Sequence, residues 1–164
     1  MNIYKETERL TIRPLIVQDA EFIVELLNTE GWIEFIGDRN VKDVKSAKDY
    51  INKILSNDKF YYNVFEIKQS RSPIGLVTFL RRENQNYPDI GFAMLPNYEK
   101  NGYAFEAAKT YLNEIIKSKS TDTVIAITKN DNIKSINLIN KLGLLFDKTY
   151  EDNNEILNMY SIKL

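Results

Sequence analysis

The segment Leu95–Ala108, LPNYEKNGYAFEAA, concentrates the residues that could do chemistry in this chain. One glycine, Gly102, and two amide side chains, Asn97 and Asn101, follow the apolar run DIGFAM and precede a stretch with the composition of a helix. A helix N-terminus presents N–H groups without intrahelical partners and the positive end of the macrodipole. After a strand it is a ready anion site, and a glycine in the approach permits positive φ and lets phosphate oxygens come close without a Cβ in the way. The same residues also suit a plain flexible entry into a helix, and one glycine does not choose between the two. The pattern is neither G-x-G-x-x-G nor G-x-x-x-x-G-K-[ST], so dinucleotide and P-loop readings are not supported.

Two absences narrow the reactions available. The 164 residues contain no Cys, which excludes disulfides, thiolate nucleophiles and Cys-ligated zinc. They contain no His, which excludes Ser-His-Asp catalysis, His-ligated metals and an imidazole base. Proton transfer near neutral pH is left to a carboxylate, Lys, Tyr, an amine terminus or water. Formal net charge is -1 with no basic stripe, so nucleic acid is not favoured as a direct partner. No apolar run approaches the ~20 residues of a membrane helix. The opening MNIYKETERLTIRP places charges where a signal peptide has its apolar core. A cytoplasmic protein is expected.

Apolar content of 43% and the absence of repeats or Pro/Gly/Ser linkers point to one domain spanning residues 1–164. Alternation predicts strands at Arg9–Leu15, Tyr61–Lys68, Pro73–Arg82 and Asp89–Leu95, with the middle pair a hairpin. Asp122–Lys129 is an apolar β-branched run suited to a central strand, and LLFDKTY and EILNMYSIKL form a final pair. Helical spacing appears in DAEFIVELLN, with Asp19 at its start, and at Ala47, Tyr50, Ile51, Ile54 and Leu55. It recurs beyond Asn101, where Ala104, Ala107, Ala108, Tyr111, Leu112 and Ile115 form one stripe, and in NDNIKSINLINKLG, closed by Gly143. Gly31–Asp38, GWIEFIGD, reads as an aromatic loop. This interleaving describes a mixed-sheet α/β domain. If the strands at Asp89 and Asp122 run parallel in one sheet, the Gly102 turn lies at a strand's carboxyl end, where open α/β sheets bind ligands.

DIGFAMLPNYEKNGYAFEAA resembles the cofactor motif of the GNAT superfamily of N-acetyltransferases, Q/R-x-x-G-x-G/A between a strand and a helix. It is most similar to the branch that contains ribosomal-protein-alanine N-acetyltransferases. The matching residues are Asp89, Ile90, Gly91 and Phe92, then Pro96, then Gly102, Tyr103, Ala104, Phe105, Glu106 and Ala107. TERLTIRPLIVQDA resembles the opening of that branch, and Asn132, Ser135, Lys141 and Gly143 match its N-x-x-S…K-x-G segment. Glu99 departs from the motif, which has Gln or Arg there. A carboxylate beside bound phosphates is electrostatically unhelpful. Leu144 replaces an aromatic.

The resemblance implies a single-domain GNAT-like fold: a mixed sheet of about seven strands, splayed between Asp89–Leu95 and Thr123–Lys129, with about four helices. It implies acetyl-CoA as cosubstrate, no metal, and direct attack of a primary amine on the thioester. The amine belongs to a protein N-terminus, a polyamine or a small aminated metabolite. Backbone groups of Asn101, Gly102, Tyr103 and Ala104, with Lys100, would hold the diphosphate. Met94 and Leu95 would pair with the pantetheine arm, and Asn132 would hydrogen-bond it or simply cap its helix. Asp89 is the candidate base through water, with Glu66 beside the acceptor as a second. Ser135 is the candidate donor to sulfur, and Tyr103 the runner-up. Trp32, Phe35, Tyr150 and Tyr160 would wall the acceptor site. A monomer or homodimer is expected. The alternative is a module that binds or senses acyl-CoA without turnover.

Overall fold

The computed structural model describes residues 1–164. Its eight strands are β1 (Lys5–Glu6), β2 (Leu10–Pro14), β3 (Phe60–Ile67), β4 (Ser72–Leu80), β5 (Asp89–Met94), β6 (Thr123–Lys129), β7 (Leu145–Asp152) and β8 (Glu155–Lys163). They form one sheet in the order β1-β2-β3-β4-β5-β6-β8-β7. Every neighbouring pair is antiparallel except β5 with β6. That single parallel step follows from the crossover helix α4 (Tyr103–Ser118) between them.

The other helices are α1 (Ala20–Leu27), α2 (Glu30–Phe35), α3 (Val44–Leu55) and α5 (Ile133–Leu142). Strand periodicity divides the core between the two faces of the sheet. Leu10, Ile12, Phe65, Ile90, Val124 and Ala126 pack under α4 and α5. Val64 and Leu76 pack on the opposite side with Ile23 and Leu26 of α1 and Ile51 of α3. The apolar stripe read from α4 is buried at Ala107, Ala108, Tyr111, Leu112 and Ile115.

The architecture is the mixed α/β sheet expected, with three local differences. The segment read as an aromatic loop contains α2, because the Thr29 side chain caps it by accepting from the Trp32 N–H and Trp32 is buried. A two-residue edge strand, β1, precedes β2. The long helix begins at Tyr103 rather than Asn101, since Gly102 takes the left-handed conformation. Asp19 precedes α1 but does not cap it through its side chain. That carboxylate holds Arg13 instead, with contacts of 2.9 and 2.8 Å. No helix is long and apolar enough to cross a membrane.

Candidate active site

β5 and β6 are bridged at only one position, Asp89 opposite Ile125, where the Ile125 N–H donates to the Pro88 carbonyl at 3.0 Å. Beyond that bridge the strands part. Gly91, Phe92, Ala93, Met94 and Ile127 are consequently half-exposed, although they lie in the fifth and sixth of eight strands. A continued parallel ladder would send the Ile127 N–H to the Ile90 carbonyl. The Ile127 amide lies close enough to the Asp89 carboxylate to favour its charged form. Asp89 therefore sits at the closed end of the slot, buried, with its Oδ2 accepting from Arg82 Nε at 2.8 Å. Burial pushes its pKa up, against the opposing effects of Arg82 and the Ile127 amide.

The Gly102 turn stands at the open end. Lys100 has φ 64° and Gly102 φ 78°, and Gly102 caps α4 without a side-chain bond. The first N–H of the helix with a backbone partner is that of Glu106, to the Gly102 carbonyl at 3.0 Å. The amides of Tyr103, Ala104 and Phe105 precede it and have no intrahelical acceptor. The carbonyls of the turn are engaged instead: Asn101 Nδ2 donates to Tyr98 O (3.3 Å) and Glu99 O (2.9 Å), and Arg9 Nη1 donates to Asn101 O (3.0 Å). With its acceptors tied back, the turn presents donors, as an anion site must.

Arg9 was not among the residues read from the sequence. Its guanidinium also pairs with Glu106 at 2.6 Å and lies 4.5 Å from the Tyr103 ring centre. Glu106 further accepts from the Thr7 hydroxyl and the Arg9 N–H. Burial alone would raise the Glu106 pKa, but these hydrogen bonds and the Arg9 charge outweigh it and hold the carboxyl below its usual range. The TERL opening and the GYAFEA turn are thus one unit, and the family resemblance of both segments was the signal for it.

Strand alternation revises one assignment. Leu95 donates its N–H to Ile74 on β4 at 2.8 Å, its carbonyl accepts from Tyr98, and its side chain is buried against the α1–α3 face. It cannot offer backbone pairing to a ligand in the slot. With Leu95 turned to β4, a two-residue period turns Met94 and Phe92 toward the slot. Across the slot, Asn132 is the N-cap of α5: its Oδ1 accepts from the Ser135 N–H at 3.2 Å, which leaves its amide nitrogen for another partner. Ser135 is half-buried in the first turn of α5.

The α1–α3 face of the sheet carries a row of polar groups beside the slot. Tyr62, Thr78 and Gly91 lie side by side across β3, β4 and β5. A Cβ on Gly91 would stand 2.6 Å from Thr78 Oγ1 and force that hydroxyl to move. Tyr62 and Tyr50 lie together near Arg39, and burial pushes both hydroxyls above their usual pKa. Tyr150 lies close enough to Asp89 and Arg82 to feel both charges, with Gln85 Nε2 at 3.5 Å from its hydroxyl. Lys129, near the open end of β6, donates to the Glu34 carbonyl at 2.9 Å and so ties α2 beside the slot. Phe35 is half-buried on α2, and Trp32 is buried with its indole N–H lacking any partner.

Two expected acceptor residues are elsewhere. Tyr160 is buried in the α4/α5 core, edge-on to Phe146 at 5.7 Å. Glu66 is buried and held by Arg13 at 2.9 Å, in a triad completed by Asp19. Its charge is taken up within that triad, and its strand, β3, is separated from the slot strand β5 by β4.

The model of the acetyltransferase (GNAT) domain matches residues 9–145. An uncharacterized N-acetyltransferase, YnaD, of Bacillus subtilis (strain 168) is 27% identical over 158 residues, covering 94% of this chain and 92% of that protein. The ribosomal-protein-S5-alanine acetyltransferase of Vibrio fischeri shares the fold with a TM-score of 0.77 at 16% identity, over 99% of this chain and 97% of that one. The microcin C7 self immunity acetyltransferase MccE, solved with acetyl-CoA and AMP, gives a TM-score of 0.83 at 18% identity, covering 96% and 94%. With a domain match over most of its length, a sheet splayed at one parallel step and a donor-lined turn at the mouth of the gap, the chain belongs to the GNAT family of N-acetyltransferases.

Proposed function

We propose that the chain moves an acetyl group from acetyl-CoA to a primary amine by direct attack, in the cytoplasm, as a single domain working as a monomer or homodimer. The acceptor is a protein N-terminus, a polyamine or a small aminated metabolite. The observation that carries this reading is the half-exposed slot through the middle of the sheet, ending at a turn whose free groups are donors. Those residues fit the cosubstrate: amides and Lys100 for a diphosphate, and slot-facing backbone at Phe92 and Met94 for an extended amide-bearing arm.

Bound acetyl-CoA would supply the activated acetyl group. The chain's residues do the rest. The amides from Asn101 to Ala104 anchor the diphosphate, and the Asn132 amide nitrogen orients the pantetheine. The Ser135 hydroxyl donates a hydrogen bond where negative charge builds on the leaving sulfur. Asp89 takes the amine proton through water passing Gly91, and its raised pKa suits a base. Trp32 and Phe35 wall the acceptor.

The test is turnover of acetyl-CoA, read by free-thiol release, against peptides with N-terminal Ala or Ser, polyamines and aminoglycosides. Release with at least one amine is expected. CoA binding without turnover across the panel would make the chain a binding module. Absence of CoA binding would remove the cofactor assignment.

A further inference from the structure

The position three residues before Gly102 carries an acid, Glu99, at the point where a diphosphate would meet the turn. Its carboxylate is not bare. Glu99 Oε2 lies 2.6 Å from Nζ of Lys134, the second residue of α5. Glu99 belongs to the β5–α4 wall of the slot and Lys134 to the α5 wall, so the pair spans the slot mouth. The Lys134 side chain is 80% exposed and that of Glu99 31%. An exposed pair of this kind contributes little to folding and costs little to redirect. An ammonium has three donors, and this contact engages one.

We propose that Lys134 is a diphosphate-binding residue contributed across the slot by α5, and that Glu99 is its positioning residue. The assignment rests on the acetyl-CoA reading above. Glu99 holds the ammonium against the turn, neutralises its own charge in doing so, and leaves the other N–H donors facing the phosphate oxygens. The cation that the sequence lacks at position 99 is thereby returned from a helix more than thirty residues away.

Calorimetric titration of the full chain tests this with CoA, dephospho-CoA and pantetheine, on wild type, Lys134→Ala, Glu99→Gln and the double variant. Lys134→Ala should weaken CoA and dephospho-CoA by about tenfold, the worth of one charge-assisted hydrogen bond, and leave pantetheine unchanged. Its CoA affinity should also depend less on salt. Glu99→Gln should stay within about threefold of wild type, since losing the positioning contact and losing a carboxylate near the phosphates oppose each other. Lys134→Ala added to it should weaken CoA by about threefold, and a full loss of about tenfold there would overturn the positioning role of Glu99. Circular dichroism melting establishes that each variant is folded. Unchanged CoA affinity in Lys134→Ala would overturn the proposal. So would an effect that vanishes in the Glu99→Gln background, since Lys134 would then only mask a carboxylate. A loss confined to CoA and absent with dephospho-CoA would place Lys134 on the 3′-phosphate and overturn the diphosphate assignment. A wild-type chain that binds no CoA would instead overturn the acetyl-CoA reading beneath it.

Discussion

Ser135 and Asp89 carry different proposed roles, and their variants should fail in different ways. Ser135→Ala should lower kcat by roughly 10- to 100-fold with little change in the KM for acetyl-CoA, because its hydrogen bond strengthens only as charge reaches the sulfur. Equal loss in kcat and gain in KM would point to simple cofactor binding. Asp89 is buried, and its pKa is raised, so the base form appears as pH rises through that raised value. Asp89→Asn should flatten the rise of kcat/KM with pH, and an unchanged profile would mean that the amine arrives neutral and is only positioned. The same shift carries a sign for stability. The unfolded chain releases this proton at lower pH than the folded one, so Asp89 costs the fold stability as pH rises through the buried pKa. Arg82, 2.8 Å away, offsets part of that cost at neutral pH.

At the scale of elements, the β5–α4 turn carries the largest local demand on sequence. Gly102 at φ 78° is strained for any other residue, yet a Cβ there would meet only Arg9 Nη2, at 3.6 Å. A side chain at this position therefore costs the fold backbone strain and makes no clash within the chain. Gly102→Ala should cost about 1 kcal/mol in chemical denaturation. Gly102→Asp should cost about the same and, by placing a carboxylate among the free amides, abolish the rise in melting temperature produced by acetyl-CoA. Retained ligand stabilisation in the Asp variant would remove the diphosphate from this turn.

For the molecule as a whole, the slot runs between the two packed faces, so a ligand in it bridges α4, α5 and the sheet. Acetyl-CoA at a hundredfold excess over its Kd should raise Tm by roughly 5–10 °C, from about 2.7 kcal/mol of linkage spread over a chain of this size. A shift that pantetheine reproduces in full would show that the phosphates are idle. The sheet's outer edge shows where whole-molecule geometry overrides pattern. Phe146 and Tyr150 are four apart and, on an unbroken strand, would share a face. A register shift between Phe146 and Lys148 pairs Phe146 with Tyr160 and Tyr150 with Leu157. Phe146 therefore packs on Tyr160, while Tyr150 turns to Asp89 and Arg82.

The amino-acid sequence by itself determined what depends on near neighbours. The stripes at Ala104–Ile115 and Ala47–Leu55, the left-handed glycine before α4, the Asn132 cap and the exclusion of His and Cys chemistry all rest on residue type and spacing within a few positions. Only the tertiary structure decided which groups meet across the sheet. Arg13 claims Glu66 from 53 residues away, and Arg9 claims Glu106 from 97. The register with β4 spends the backbone of Leu95, the bulge in β7 separates Tyr150 from Tyr160, and Lys134 answers Glu99. Helix stripes, caps and positive φ are set by contacts a few residues apart. Strand register and ion pairing are set by which distant segments the folded core brings to the same face, and a bulge of one residue is enough to decide which aromatic side chain packs on Tyr160 and which turns to Asp89.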